Sequence, residues 1–405
     1  MKTLTLTLYL ALFAPHVAFA QTDAITLRTD RILDGLGGVI SAMNVVIRDA
    51  VIVEIGSTTA GTVYDLRGLT VMPGGIDTHN HFAWHFDPDG KLHDASPDEE
   101  SQSQQALYAA ENAYQTLLAG ITTIQSLGSS VDGDVRDAIS RGTLPGPRVL
   151  TSLGAVTART GGPDSIRAAV KRFADRGADV IKIFGSASIR VGGTPTLSQE
   201  QMNAACGEAK NLGLRTAVHA HGPESARRAV LAGCGVIEHG ALLDYETLQL
   251  MAEHGTFYDP HIGLIFNNYF QNKQRYLGIG NYTEEGFVQM ERAVPKALAV
   301  FRRALSTEGL RIVFGTDAVA GAHGHNFAEL VYRVEQGGQD PMDAILSATS
   351  TAAASLNMAD QIGTIAAGMR ADIIASDGNP LEDITAMRRI VFVMKYGKVY
   401  KSPQR

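Results

Sequence analysis

His79 and His81 stand one residue apart in the run Gly75-Ile76-Asp77-Thr78-His79-Asn80-His81. On an extended strand the side-chain period of two turns both imidazoles to one side of the chain. Two neutral imidazoles on one face are the beginning of a metal site. Four further donors close or nearly close short apolar runs: Lys182 in VIKIFGS, His219 in TAVHAHG, His239 in GVIEHG and Asp317 in IVFGTDA. These six read as a two-metal hydrolytic site. A His-x-His pair alone is a weak motif, because histidines at that spacing often only pack. The chain has just 12 histidines, however, and His79, His81, His219, His221 and His239 all fall beside expected strand ends.

Lys182 sharpens the reading. Its run, Val180-Ile181-Lys182-Ile183-Phe184, is apolar on both sides, as in a strand covered on both faces. A bare ammonium buried there costs several kcal/mol, of order 3–5. One solution is a desolvated amine whose lowered pKa lets it take up carbon dioxide, giving a carbamate that bridges two cations. The plainer solution is an ion pair with Asp317 or Glu238.

Eight short apolar runs are available to position these groups, near residues 75–81, 121–127, 148–155, 180–185, 215–220, 236–240, 256–261 and 311–317. Helical patterns lie between them, such as the one entered at Ser198 and stopped by Gly213, and the one opened by Pro223 and ended near Gly233. Eight βα units predict an α/β fold, a (β/α)8 TIM barrel over residues 72–358, with the candidate ligands at the carboxyl ends of its strands. Residues 21–71 and 359–405 instead read as short strands and turns, a β-rich character that would let the two ends pair into one satellite sheet.

The 405 residues are 45% hydrophobic and 19% charged, which suits a large enzyme. A net charge of -7 and the lack of a basic, aromatic-interleaved patch exclude nucleic acid as a partner. Residues 1–20 read as a signal peptide: Lys2, an apolar stretch from Leu4 to Phe13, then Ala18-Phe19-Ala20 as the cleavage site. Periplasmic or secreted localisation follows, with no membrane association after cleavage. An oxidising compartment permits a disulfide between Cys206 and Cys234, the two cysteines present, though two buried thiols fit the sequence as well.

The ordered motifs VMPGGIDTHNHF, LLAGITTIQSLG, LPGPRVLTS, GADVIKIFGS, VHAHG, VIEHG, FGTDA and IGTIAAGMRADIIASDGNPLEDI resemble the amidohydrolase superfamily. Within it they are similar to the imidazolonepropionase-related group that holds metal-dependent dipeptidases and carboxypeptidases of the prolidase type. The resemblance implies a barrel with a small composite β-sandwich formed by both termini, residues 21–71 and 359–405, and a homo-oligomer with two divalent metal ions, zinc foremost. His79, His81 and Asp317 would bind one ion, His219 and His239 the other, and carboxylated Lys182 would bridge them. His221 would remain for substrate. The residues themselves do not rank His219 against His221, since both share one strand face.

Two cations about 3.5–4 Å apart hold a shared water as hydroxide near neutral pH, the nucleophile of such sites. Asp317 would move the proton to the leaving amine and His221 would face the oxyanion or a substrate carboxylate. Arg190 and Arg159, in loops after expected strands, are candidates for a substrate carboxylate, and Tyr258, His261, His323 and His325 are further candidates at the mouth. The expected substrate is a small peptide or amide: a dipeptide, Xaa-Pro or similar, or an N-acyl amino acid, ochratoxin-like amides included. A cyclic amide or lactone hydrolase is the alternative within enzymes, and a catalytically silent exported binding protein the alternative outside them. Two departures from the family pattern bear on substrate: Pro163 follows Thr160-Gly161-Gly162 where many relatives carry histidine, and Gln125-Ser126 replaces an Arg-Asp pair. The polar stretch from Asn267 to Gly286 reads as a lid over the mouth.

Overall fold

A computed structural model describes residues 24–93 and 100–403, so the expected leader at 1–20 lies outside the described residues. The apolar runs form two parallel sheets. One has the order Arg148–Thr151, Ile121–Ser126, Gly75–Asn80; the other runs Ala155–Val156, Val180–Phe184, Arg215–Ala220, Val236–His239, Phe257–Asp259. Helices on their outer side cover them, so Gly75–Asn80 and Ile121–Ser126 are buried along their whole length and Val180–Phe184 along all but its last residue.

Two of the expected strands differ. The run 148–155 divides at Leu153, a non-glycine residue at φ +55°, and its two pieces belong to different sheets. The run 311–317 is not a continuous strand. Among the described residues it makes only isolated bridges, Ile312 to Tyr258 and Ala318 to Asn80, which connect the second sheet to the first. Side-chain carboxylates explain the interruption. Asp259 Oδ1 accepts from Gly315 N at 2.7 Å, and Thr316 N is shared between Asp77 Oδ1 at 3.0 Å and the His79 carbonyl at 3.3 Å, so one ladder donor is taken and the next is divided. Gly315 permits the first contact, because a Cβ there would lie 2.2 Å from Asp259 Oδ2.

Strands from the two ends of the chain build two mixed sheets. A four-stranded sheet has the order Val51–Gly56, Asn44–Arg48, Ile25–Arg28, Thr62–Asp65. A six-stranded sheet has the order Lys398–Lys401, Ile390–Lys395, Ile373–Ser376, Thr70–Pro73, Arg31–Leu33, Val39–Ser41. The two share a core that includes Leu27, Val45, Ile52, Val71, Ile373 and Phe392. Asp372 joins this part to the parallel sheets: it pairs with Arg148 at 2.8 Å and accepts from Tyr396 N at 2.8 Å.

The helix entered at Ser198 spans Gln199–Asn211, with a capping box between Ser198 and Gln201, and the one opened by Pro223 spans Pro223–Leu231. Cys206, in the first, and Cys234, just after the second, are joined by a disulfide, the pairing the sequence left open. Closing a loop of this size, 28 residues in separation, stabilises a fold by about 2–4 kcal/mol. The double variant Cys206→Ala/Cys234→Ala is therefore expected to melt several degrees lower than the oxidised parent. The parent should lose the same increment in reductant, while the variant should not respond.

Candidate metal centre

The carboxyl ends of the parallel strands bring the ligand candidates together. His79 and His81 leave the strand Gly75–Asn80 with Nε2 atoms 3.2 Å apart. Lys182, on Val180–Phe184, places Nζ 3.1 Å from His79 Nε2. Asp317 Oδ1 lies 3.1 Å from His81 Nε2 and 3.5 Å from His79 Nε2. His219 and His239, at the ends of Arg215–Ala220 and Val236–His239, pack ring centre to ring centre at 4.5 Å, and His239 lies 5.2 Å from His79. His79, His81 and Asp317 form one set of mutually close ligand atoms; His219, His221 and His239 form another. Geometry thus joins His219 and His221 to the same set, and only the family resemblance separates their roles.

One contact fixes the chemistry of His79. Its Nδ1 is 2.8 Å from Glu238 Oε2, and both side chains are fully buried. With that carboxylate ionised, the ring donates through Nδ1 and presents the Nε2 lone pair to the cluster, the outer-shell arrangement that orients metal-binding imidazoles. Burial, first, then the neighbouring Lys182 and histidines hold His79 well below its ordinary pKa. Burial and neighbouring positive or imidazole groups do the same for His219 and His239, and bring His221 down to about 3. The imidazoles are neutral and able to coordinate.

Burial also lowers the Lys182 pKa, against the opposing pull of Glu238, Asp317 and Asp259. The ion pair with Asp317 or Glu238 is not formed at contact distance among the described residues. Burial would raise the Asp317 carboxyl, but the His81 hydrogen bond and nearby positive groups prevail and lower it. His239 and Asp317 both adopt left-handed backbone, φ +66° and +53°. Such conformations cost on the order of 1–3 kcal/mol and persist where the surroundings impose them. Here two candidate ligands adopt it, His239 at the end of its strand and Asp317 at the end of the irregular run 311–317.

Further buried bonds hold these positions. Asp77 accepts from Thr316 Oγ1 at 2.6 Å and Asn326 Nδ2 at 2.7 Å, tying the strand of His79 to the loop of Asp317. Glu329 accepts from the backbone N–H of Ile262, Gly263 and Leu264 at 2.8–2.9 Å, and so fixes the loop that carries His261. His261 reaches the centre with Nδ1 2.8 Å from His239 Nδ1. Asp259 went unassigned from sequence as a partner of this centre, and Glu238 was named only as an ion-pair partner for Lys182, not for His79. The signal was present in Glu238 preceding His239 and Asp259 two residues before His261.

The centre opens into a cavity of about 360 Å³ lined also by Trp84, Phe184, Arg190, Phe266, Tyr269 and Tyr282. Arg190 donates to Asn281 Oδ1 at 2.7 Å and lies 3.9 Å from the Tyr282 ring centre. Four substrate candidates stand elsewhere. Arg159 is exposed and outside the cavity lining. Tyr258 is buried in the core, its hydroxyl donating to the His239 and Gly240 carbonyls. His323 and His325 line a different cavity of about 840 Å³, and His323 Nε2 bonds the Trp84 carbonyl at 3.0 Å.

The Asn267–Gly286 stretch, expected as a lid, supplies Tyr269, Asn281 and Tyr282 to the cavity wall. Helices Leu264–Gln271 and Lys273–Tyr276 bring Tyr269, Tyr276 and Tyr282 into mutual ring contact at 5.0–5.3 Å. Gln125, one of the departures from the family pattern, links strands: Nε2 donates to the Thr78 carbonyl and Oε1 accepts from Arg215. Pro163 begins the helix Pro163–Asp175, where its missing N–H costs no hydrogen bond.

The residues fit divalent metals on their own chemistry. Neutral imidazole nitrogens converge with a carboxylate and a desolvated amine, all nitrogen or oxygen donors, and His221 Nδ1 has no hydrogen-bond partner among the described residues. If Lys182 completes the centre, Lys182→Ala should lose bound metal and turnover together, measured by elemental mass spectrometry and by rate. Reconstitution of metal-stripped parent should also go faster in bicarbonate than in carbonate-free buffer.

Comparison with known proteins agrees with this geometry. A family model described as "Amidohydrolase family" matches residues 70–400. An ochratoxinase of Aspergillus niger is 28% identical, over 88% of this chain and 82% of its own. A solved Xaa-Pro dipeptidase with methionine in its active site is 33% identical, with a TM-score of 0.83 over 94% of this chain and all of that one. A prolidase complexed with N-methylphosphonate-L-proline is 26% identical, with a TM-score of 0.82 over 94% of this chain and all of that one.

Proposed function

Because the chain belongs to the amidohydrolase family, and so is a hydrolase of amide bonds in small molecules, we propose that it cleaves dipeptides or N-acyl amino acids bearing a free carboxylate. The observation that carries this reading is the shared cavity: neutral imidazoles, Lys182 and Asp317 on one side, a half-buried Arg190 among aromatic rings on another. Its size, about 360 Å³, admits a small molecule and excludes a folded chain. Likeness to a Xaa-Pro dipeptidase and to an ochratoxinase supports the same class, with proline or an aromatic residue as the group carrying the carboxylate.

His79, His81 and Asp317 would hold one divalent ion, His219 and His239 a second, and Lys182, as its carbamate, would bridge them; zinc suits this donor set. Bound there, the ions polarise a carbonyl and acidify water. Arg190 binds the substrate carboxylate through its guanidinium fork and the rings beside it exclude water. Asp317, kept ionised by the His81 hydrogen bond, accepts the proton of the attacking water and passes it to the leaving nitrogen as the C–N bond breaks. His221, neutral at working pH, donates to the developing oxyanion.

Further support bears on the architecture and the compartment. The parallel strands and the bridges between them support one closed (β/α)8 barrel over residues 72–358, with the sandwich drawn from 21–71 and 359–405. The disulfide supports export by a leader at residues 1–20. Assembly as a homo-oligomer rests on the family resemblance.

Asp317→Asn is expected to retain most of its metal and lose kcat by two or more orders of magnitude, which parallel metal analysis and kinetics would show. Arg190→Met should raise KM more than tenfold for N-acyl amino acids, with little change for the corresponding amides that lack the carboxylate. A panel of dipeptides, N-acyl amino acids and simple lactones tests the class itself. Turnover of lactones alone would overturn the reading.

A further inference from the structure

A second group of ligating side chains lies outside the cavity. The short strands His85–Phe86 and Leu92–His93 form an antiparallel hairpin whose register sets His93 opposite His85, and the two rings stack at 4.9 Å. Glu100 directly precedes Ser101, the N-cap of the helix Gln102–Leu118. Its Oε2 lies 3.0 Å from His85 Nε2 and 3.8 Å from His93 Nδ1, and the three side chains are at most 8% exposed. Tyr108, from the same helix, stacks on His85 at 3.9 Å.

The hydrogen-bond pattern at His85 leaves a specific need. Its Nδ1 is 2.9 Å from the Ala83 carbonyl oxygen, which can only accept, so Nδ1 carries the proton. In the neutral ring, Nε2 then aims a lone pair at a carboxylate oxygen at hydrogen-bond distance. Two acceptors so placed require a positive centre between them, either a second proton or a metal ion. A proton would lie between His85 and Glu100. A cation also uses His93, since one ligand atom from each of the three residues lies within 4.8 Å of the others. The Ala83 bond is moreover the outer-shell contact that fixes a coordinating imidazole.

We propose that His85, His93 and Glu100 form a third divalent-cation site, built for zinc by its two imidazoles and one carboxylate and separate from the centre at His79. None of the three lines the catalytic cavity. The site clamps the hairpin to the start of the helix Gln102–Leu118 and so fixes Trp84, the residue before His85, which does line that cavity. Asn112, from the same helix, already bonds the Phe82 and Trp84 carbonyls, and the cation completes this attachment.

The inference stands apart from the assignment of the catalytic metals, because its test is a difference. With Zn2+ as the probe, the full-length chain is titrated and its metal counted by elemental mass spectrometry. His93→Ala and Glu100→Gln should each bind one equivalent fewer than the parent and lose part of its zinc-dependent gain in Tm. Lys182→Ala should keep the equivalent that these variants lack. If His93→Ala does not fold, Glu100→Gln, which preserves size and hydrogen bonding, supplies the count. Diffraction at the zinc edge from zinc-saturated parent crystals should give an anomalous peak among the three side chains. Equal stoichiometry in parent and variants, or no peak there, would overturn the proposal in favour of a protonated His85 paired with Glu100.

Discussion

The buried bond between His79 and Glu238 sets the state of everything around it. A carboxylate that takes the Nδ1 proton obliges the ring to offer its other nitrogen as a lone pair. That nitrogen faces Lys182, His81 and Asp317 within 3.5 Å. Were His79 to donate toward the cluster instead, the converging nitrogens would meet a hydrogen and the ligand set would lose its first member. Burial raises Glu238 well above the ordinary carboxylate range, with Asp259 adding to the effect and Lys182 opposing it. Burial and Asp259 thus favour protonation of Glu238, and the acceptor role at His79 belongs to its ionised form. Ligand geometry and the charge of the centre are one problem here, and the six candidate side chains alone do not solve it.

A second constraint is the way backbone donors are spent at the end of the sheets. Asp77 and Asp259, each fully buried, draw Gly315 and Thr316 out of a regular ladder. The chain then turns through left-handed backbone at Asp317 and delivers its carboxylate to His81. Loss of strand regularity is thus the means by which a carboxylate is aimed. His239 leaves its strand with the same unusual backbone, so the centre is built where regular structure is given up.

Much of this was legible in the sequence because burial on both faces writes a strand as an apolar run. Gly75–Asn80, Val180–Phe184, Arg215–Ala220 and Val236–His239 coincide with such runs, and their terminal His or mid-strand Lys stood out as polar exceptions. What escaped depended on contacts distant in sequence. Nothing near residue 311 announces that carboxylates from positions 77 and 259 would take its donors. Nothing in GAHGHN says that His323 turns behind Trp84 rather than into the mouth. The stretch after Asn267 read as polar because its composition is, yet its tyrosines, spaced to meet, form a buried ring cluster. Spacing picked out side chains that converge, but it could not pick out the groups that orient them.

The six-stranded sheet has a consequence for how the molecule comes into being. The strand Thr70–Pro73 leads straight into the strand of His79, and its antiparallel neighbour is Ile373–Ser376, some three hundred residues later. A ribosome delivers the first imidazoles long before it delivers the segment that braces them. Contacts so remote in order form slowly. The cluster at His79 is therefore braced only once synthesis has passed residue 376, so its geometry belongs to the finished chain and not to the nascent one.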